Sequence, residues 1–261
     1  MVLTAFPVGF LAGLFGIGGG LITVPFLFFI FDSLNINEEY LMHLAVGTSF
    51  SIIVPTSIIS VLTHKKNGSV DFGVIKNYAI FVIIGVLSGT ILAAILHTKS
   101  LLLLFTIVAY FCGAYLLNIK DKTDNLKVNF NIIPRIVLGF TSGFISAAMG
   151  IGGAIMNVPI LKYFGYPINK AIGSAAAIGL VISLFGAIGF LISGSFLKAD
   201  LPLSVGFINI PAFLIFIPIT MFMARVGANT VNKLDKSKLQ NFFGIFLYIV
   251  GTIFLYRYLS I

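Results

Sequence analysis

Two glycine clusters carry the chemistry this sequence can offer. One is Gly16, Gly18, Gly19 and Gly20; the other is Gly150, Gly152 and Gly153. Each interrupts an apolar run, and each precedes what reads as the start of a short helix. Backbone N–H groups at a helix start lack an intrahelical acceptor and sit at the positive end of the helix dipole, so they attract anions. Glycine adds no side chain to keep a ligand away from them. The same residues have a plain packing role, because glycine permits a turn and lets helices approach closely. Neither cluster is a nucleotide loop: no Gly-Lys-Ser/Thr follows, and no strand–helix–strand context surrounds them.

The clusters are copies of one another. GFLAGLFGIGGGLITVPFL at 9–27 returns as GFISAAMGIGGAIMNVPIL at 143–161, with nine of nineteen positions identical and Ala154 in place of Gly20. Thr23 and Asn157 are equivalent positions one turn beyond the breaks. Thr48, Ser49, Ser51 and Ser174 are hydroxyls inside apolar runs, and Ala45–Thr48 aligns with Ala171–Ser174. Each of these is a candidate substrate contact. Each also has the ordinary alternative of a bond to its own backbone or a neighbouring helix. His43 aligns with Asn169; it reads either as a proton relay or as an interfacial polar residue. Arg225 reads either as a counter-charge to an anion or as a side chain snorkelling to the surface. No Asp or Glu lies well inside a run. That argues against ion coupling through a buried carboxylate and against a cationic cargo.

The elements that must position these groups are membrane helices. Only 9% of residues are charged and 59% are hydrophobic, against roughly 25% charged in a soluble domain. Apolar, non-alternating runs of about 20 residues recur from end to end, the length a helix needs to cross a bilayer. The expected spans are 40–63, 77–96, 100–119, 169–193, 201–224 and 239–259. The Gly-broken stretches are 1–31 and 132–164, the first reading as helices over 2–15 and 19–31. Gly85 and Gly89 form a GxxxG pair suited to close helix packing. Gly68–Ser69 aligns with Gly194–Ser195. Residues 1–119 form a first membrane repeat, the polar segment 120–131 a linker, and 132–261 a second repeat. The N-terminal run belongs to the repeat and has no basic leader, so it is expected to be retained. Cys112 is the sole cysteine and reads as packing. The net charge of +8 fits the positive-inside rule and anionic headgroups better than nucleic acid.

Charge distinguishes two topologies. If each broken segment crosses once, Lys and Arg divide seven against nine, with no bias. If each returns to its own side, only Lys99, Lys198 and Arg257 fall on one side and the other thirteen share the opposite one. The positive-inside rule selects the second arrangement. It yields an all-α integral membrane protein of two inverted repeats, each a Gly-broken helical hairpin plus three transmembrane helices. Both termini and the acidic loop 32–39 lie outside, and the linker 120–131 lies inside. Re-entrant hairpins and fully crossing pairs of short helices give the same parity, and both stay open. Inverted repeats with helices interrupted at matching positions characterise secondary transporters with midplane sites.

The duplicated Gly-rich motif followed by Val-Pro, the AVGTS and AIGSA segments and the HKKNGSVDF turn resemble the sulfite exporter TauE/SafE family of membrane permeases. The resemblance runs through essentially the whole chain. It implies a permease of the bacterial-type inner membrane for sulfite, sulfoacetate, another organosulfonate or a related small anion. A small organic carboxylate as cargo is one alternative, and a non-transporting structural membrane subunit is another. An enzyme is disfavoured, because HExxH and GxSxG are absent and the three histidines are scattered. No cofactor or metal is expected. The partners are a small anion and the lipid bilayer; proton coupling, transport direction and oligomeric state stay open.

Overall fold

The computed structural model describes residues 1–15, 19–118, 132–230 and 236–260. The linker 120–131, Gly16 and Gly18 lie outside the described residues. The order is α1 Val2–Phe15, α2 Gly20–Ser33, α3 Leu41–Lys66, α4 Phe72–Ile95, α5 Thr98–Asn118, α6 Ile132–Met149, α7 Ala154–Tyr163 and α8 Ile168–Phe196. A two-stranded hairpin, β1 Ser204–Val205 and β2 Ile208–Asn209, then leads to α9 Ile210–Thr230 and α10 Lys236–Ser260. The protein is an all-α membrane protein. Among the described residues, α3, α4, α5, α6, α8 and α9 each contain a stretch long and apolar enough to cross a bilayer.

Both breaks form where glycine makes continuation of a helix unfavourable. Gly19 takes the left-handed conformation at φ 82° and caps the start of α2. Gly150 takes φ 68° at the end of α6. The two halves of each break then part company. α1 packs chiefly on α9 and α2 on α3, while α6 packs on α4 and α7 on α8. α1 and α2 stay close only near the break itself, where Gly19 lies against Val8 and Ala12 of α1.

Small residues let the long helices meet at backbone distance. A Cβ on Gly85 would fall on the Phe140 carbonyl, and one on Gly143 would fall on the Val82 carbonyl. The expected GxxxG interface is thus the α4–α6 seam, with glycines contributed by both helices. The α1–α9 seam is built in the same way: Gly9 faces Thr220, Gly13 faces the Ala224 carbonyl, and Gly227 faces the Phe10 carbonyl. The steps from 9 to 13 and from 220 to 224 run together, so α1 and α9 point the same way. Gly85 against Phe140 and Gly89 against Phe144 do likewise for α4 and α6.

The two ends of the bundle differ in charge. At one end, Arg257 of α10 bonds Asp32 at 2.6 Å and Glu38 at 3.3 Å. Thr98 donates there to the Glu39 carbonyl at 2.7 Å, and Lys99 lies over Tyr258. At the other end, Ser174 meets the Asp71 backbone, Lys65 lies over Phe72, and the charges of Asp71 and Arg135 both act on Tyr166. Arg135 begins α6 and Tyr166 follows α7.

Two sequence expectations are corrected. The span expected over 201–224 is divided: 201–209 forms the turn and β-hairpin, and the helix starts only at Ile210. Pro202 and left-handed Gly206 (φ 56°) suit a turn, and Pro211 falls in the first helical turn, where a missing N–H costs nothing. Gly68–Ser69 is also not the structural counterpart of Gly194–Ser195. Gly68 is a left-handed residue beyond the end of α3, whereas Gly194 lies inside the longer α8.

Candidate functional site

The two breaks meet. A Cβ on Gly20 would land on the Gly150 carbonyl and 2.8 Å from the Ile151 α-carbon, and one on Gly150 would lie 2.7 Å from Val24. Ser49 of α3 donates to the Gly150 carbonyl at 3.2 Å, so the first long helix holds the second break in place. Gly152 and Gly153 lie beside Gly179 of α8, whose α-carbon turns toward them. Helix α2 starts at Gly20 and α7 at Ala154, both within one turn of this meeting point. Their leading N–H groups have no intrahelical acceptors, and both dipoles bring positive ends here.

The side chains one turn along perform one matched task. Thr23 donates to the Gly19 carbonyl at 2.9 Å, and Asn157 Nδ2 donates to the Gly153 carbonyl at 2.5 Å. Both residues are fully buried. Asn157 Oδ1 is buried with no hydrogen-bond partner among the described residues, an uncommon state for an amide oxygen.

The paired hydroxyls have a different place. The Asn209 N–H donates to Thr48 Oγ1 at 2.9 Å, and the Asp71 N–H donates to Ser174 Oγ at 2.9 Å. Asp71 and Asn209 are the residues just before α4 and α9. Their side chains accept from the first-turn N–H groups of Gly73 and Val74 in one case and Ala212 in the other. Each half thus supplies a hydroxyl that orders a helix start in the opposite half. Beside them, Gly47 and Gly173 let the Phe207 and Ser69 carbonyls approach.

The remaining candidates are dispersed. Ser51 donates to its own helix at the Gly47 carbonyl, 3.1 Å away. His43 Nε2 lies 2.9 Å from the Ala93 carbonyl, and its ring stacks 5.0 Å from Phe207 at the Arg257 end. Arg225 is exposed on α9, with no acidic partner among the described residues. Tyr166 sits at the opposite end; burial, with the Asp71 charge, raises its phenol above the usual range, and Arg135 works against that. Among the described residues, no group of three or more His, Cys, Asp or Glu side chains is placed to hold a metal ion.

Sequence reasoning missed the caps Asp71 and Asn209. An Asp or Asn just before an apolar helical run is a recognisable helix-start signal, but its partner in the opposite half is a tertiary fact. The Arg257 cluster was also missed, because its members lie more than two hundred residues apart.

The family described as Sulfite exporter TauE/SafE matches residues 1–254. The chain belongs to that family. Relatives include a probable membrane transporter protein of Haemophilus influenzae, 34% identical over 93% of this chain and 92% of its own length. A probable membrane transporter protein of Methanocaldococcus jannaschii is 28% identical over 96% of this chain and 92% of its own. One of Bacillus subtilis is 24% identical over 98% and 97%. No solved structure matches. As a TauE/SafE member with six spanning-length helices among its described residues, the chain is a multi-pass membrane permease in contact with lipid.

Proposed function

We propose that this permease carries a small sulfur-containing anion, such as sulfite, sulfoacetate or another organosulfonate, by alternating access. Its substrate site is at the two glycine breaks. The observation that carries the reading is the meeting of Gly20 with Gly150, beside the starts of the two short helices α2 and α7. An oxyanion matches that environment, because its oxygens accept several N–H bonds at once and its charge favours the positive helix ends. Gly19, Gly20, Gly150, Gly152 and Gly153 form the contact surface, with Thr23 and Asn157 behind it and Ser49 bracing it. Thr48 and Ser174 bear on the site through the helix starts they order.

The halves are inverted in this reading. Support comes from α1 running with α9, from α6 running with α4, and from Arg135 and Tyr166 sharing an end although a whole broken segment lies between them. With the Arg257 end outside and the Asp71 end inside, the exposed Lys65, Lys66 and Lys170 face the cytoplasm, as the positive-inside rule requires. The membrane is then the inner membrane of a bacterial-type cell.

The test is a thermal-shift panel of sulfite, thiosulfate, sulfonates, carboxylates and cations on purified protein, followed by proteoliposome flux of each stabilising anion. Stabilisation and flux with sulfite or a sulfonate are expected. Stabilisation by cations alone, or flux of carboxylates only, overturns the sulfur-anion reading.

A further inference from the structure

Helix α3 carries a file of polar side chains toward the Asp71 end. Thr56, Ser60 and His64 stand one turn apart and are all buried, His64 at 4% exposure. Thr56 Oγ1 lies 2.9 Å from Thr220 Oγ1 of α9, and each of these threonines also bonds its own helix backbone. Beyond that pair the file loses its partners. Ser60 Oγ and His64 Nε2 are buried with no hydrogen-bond partner among the described residues. Two orphaned polar atoms on adjacent turns of one helix face are unusual in a folded protein. Such atoms mark a place that takes up a water or a proton.

His64 also reaches the helix that leads into the first glycine break. Its ring hydrogen-bonds the Gly13 backbone, and Gly13 lies on α1 just before the first glycine break. His64 falls in the last turn of α3. Lys65 and Lys66 follow at once and are exposed, so water reaches this end of the helix.

We propose that His64 and Ser60 form the proton-loading site of this permease. The imidazole takes a proton from water at Nε2 at the Asp71 end and keeps its bond to Gly13. It returns the proton to water after the conformational change, so one proton accompanies the anion and offsets its charge. The neighbouring elements allow reversible loading, because among the described residues no carboxylate in the packed interior fixes the charge. Helix α1 has no ionisable side chain; α9 and α8 bring Arg225 and Lys170, both exposed; Asp71 is engaged as the cap of α4. The acids Asp32, Glu38 and Glu39 and His43 lie at the opposite end.

This site rests on the transport reading above, and the experiment separates the two. Radiolabelled sulfite, sulfoacetate and acetate are offered to proteoliposomes containing wild-type protein or His64→Gln, with and without an imposed pH gradient. Wild type is expected to accumulate its anion only with the gradient. His64→Gln is expected to exchange it at equal pH yet lose gradient-driven accumulation. Accumulation by His64→Gln at the wild-type level, or wild-type accumulation indifferent to the gradient, overturns the proposal. If wild type moves none of the anions, the transport reading fails, and histidine NMR on the wild-type protein decides the site alone. A signal missing from His64→Gln that titrates between about pH 5 and 8 supports the site; one that stays neutral throughout overturns it.

Discussion

Thr48 Oγ1 accepts the backbone N–H of Asn209 at 2.9 Å. The contact joins a helix of the first half to the helix start of the second, and Ser174 returns it to Asp71 at the same distance. The two halves are therefore interlocked through reciprocal caps. The long seams follow the same exchange, α1 lying on α9 and α6 on α4.

Removing one of these hydroxyls leaves a buried N–H unpaired. Thr48→Val is expected to lower the unfolding free energy in detergent by about 1–3 kcal/mol. Ser174→Ala has the same direction and a smaller effect, because the Asp71 backbone is only partly buried. Substrate affinity in the folded fraction should hold. A large rise in KM with unchanged stability would show that the hydroxyls touch cargo.

The close seams permit no added atoms. Gly85→Ala and Gly143→Ala each place a methyl group on a carbonyl of the facing helix, and each is expected to cost about 1–3 kcal/mol. Gly68→Ala is the contrast: nothing lies within 4 Å of its Cβ position, and only its φ of 67° opposes the change. Thermal unfolding of the three variants should place Gly68→Ala nearest the wild type.

The Arg257 cluster is half-exposed, so its contribution is modest. Arg257→Gln is expected to lower stability by at most about 1 kcal/mol, with the difference shrinking as salt is added. A loss that persists at high salt would show that Arg257 acts through packing instead of charge.

Orientation is open to direct labelling. Cys112 is buried and should stay silent toward an impermeant maleimide. Lys99→Cys should react from outside intact cells, and Lys66→Cys only after permeabilisation. The reverse pattern would invert the assignment of the two ends.

Much of the fold was legible because its signals are local. Consecutive glycines break a helix wherever they fall, and the observed α1 and α2 lie close to the expected 2–15 and 19–31. Apolar length located α3, α4, α5 and α8; it missed that α6 in the second broken stretch is itself long enough to cross, and that 201–209 continues the hydrophobic run of α9 while folding as a turn and hairpin. Roles at the site were less legible. Thr48 and Ser174 were visible as a matched pair, but their partners Asn209 and Asp71 arrive from the other half of the chain. His64 stood in what read as a basic turn; it is buried at the end of α3 by packing that sequence alone does not show.

The central claim is that the meeting glycine breaks hold the anion, and Gly19 tests it most directly. Its φ of 82° suits glycine and is tolerated by asparagine, and its Cβ position lies 3.2 Å from both Ala12 and Val8. Anion flux should be measured for wild type, Gly19→Asn and Gly19→Leu reconstituted at equal density from the folded, monodisperse fraction. The account predicts that Gly19→Leu abolishes flux and the anion-induced thermal shift, while Gly19→Asn keeps part of both. Wild-type flux in Gly19→Leu would contradict it.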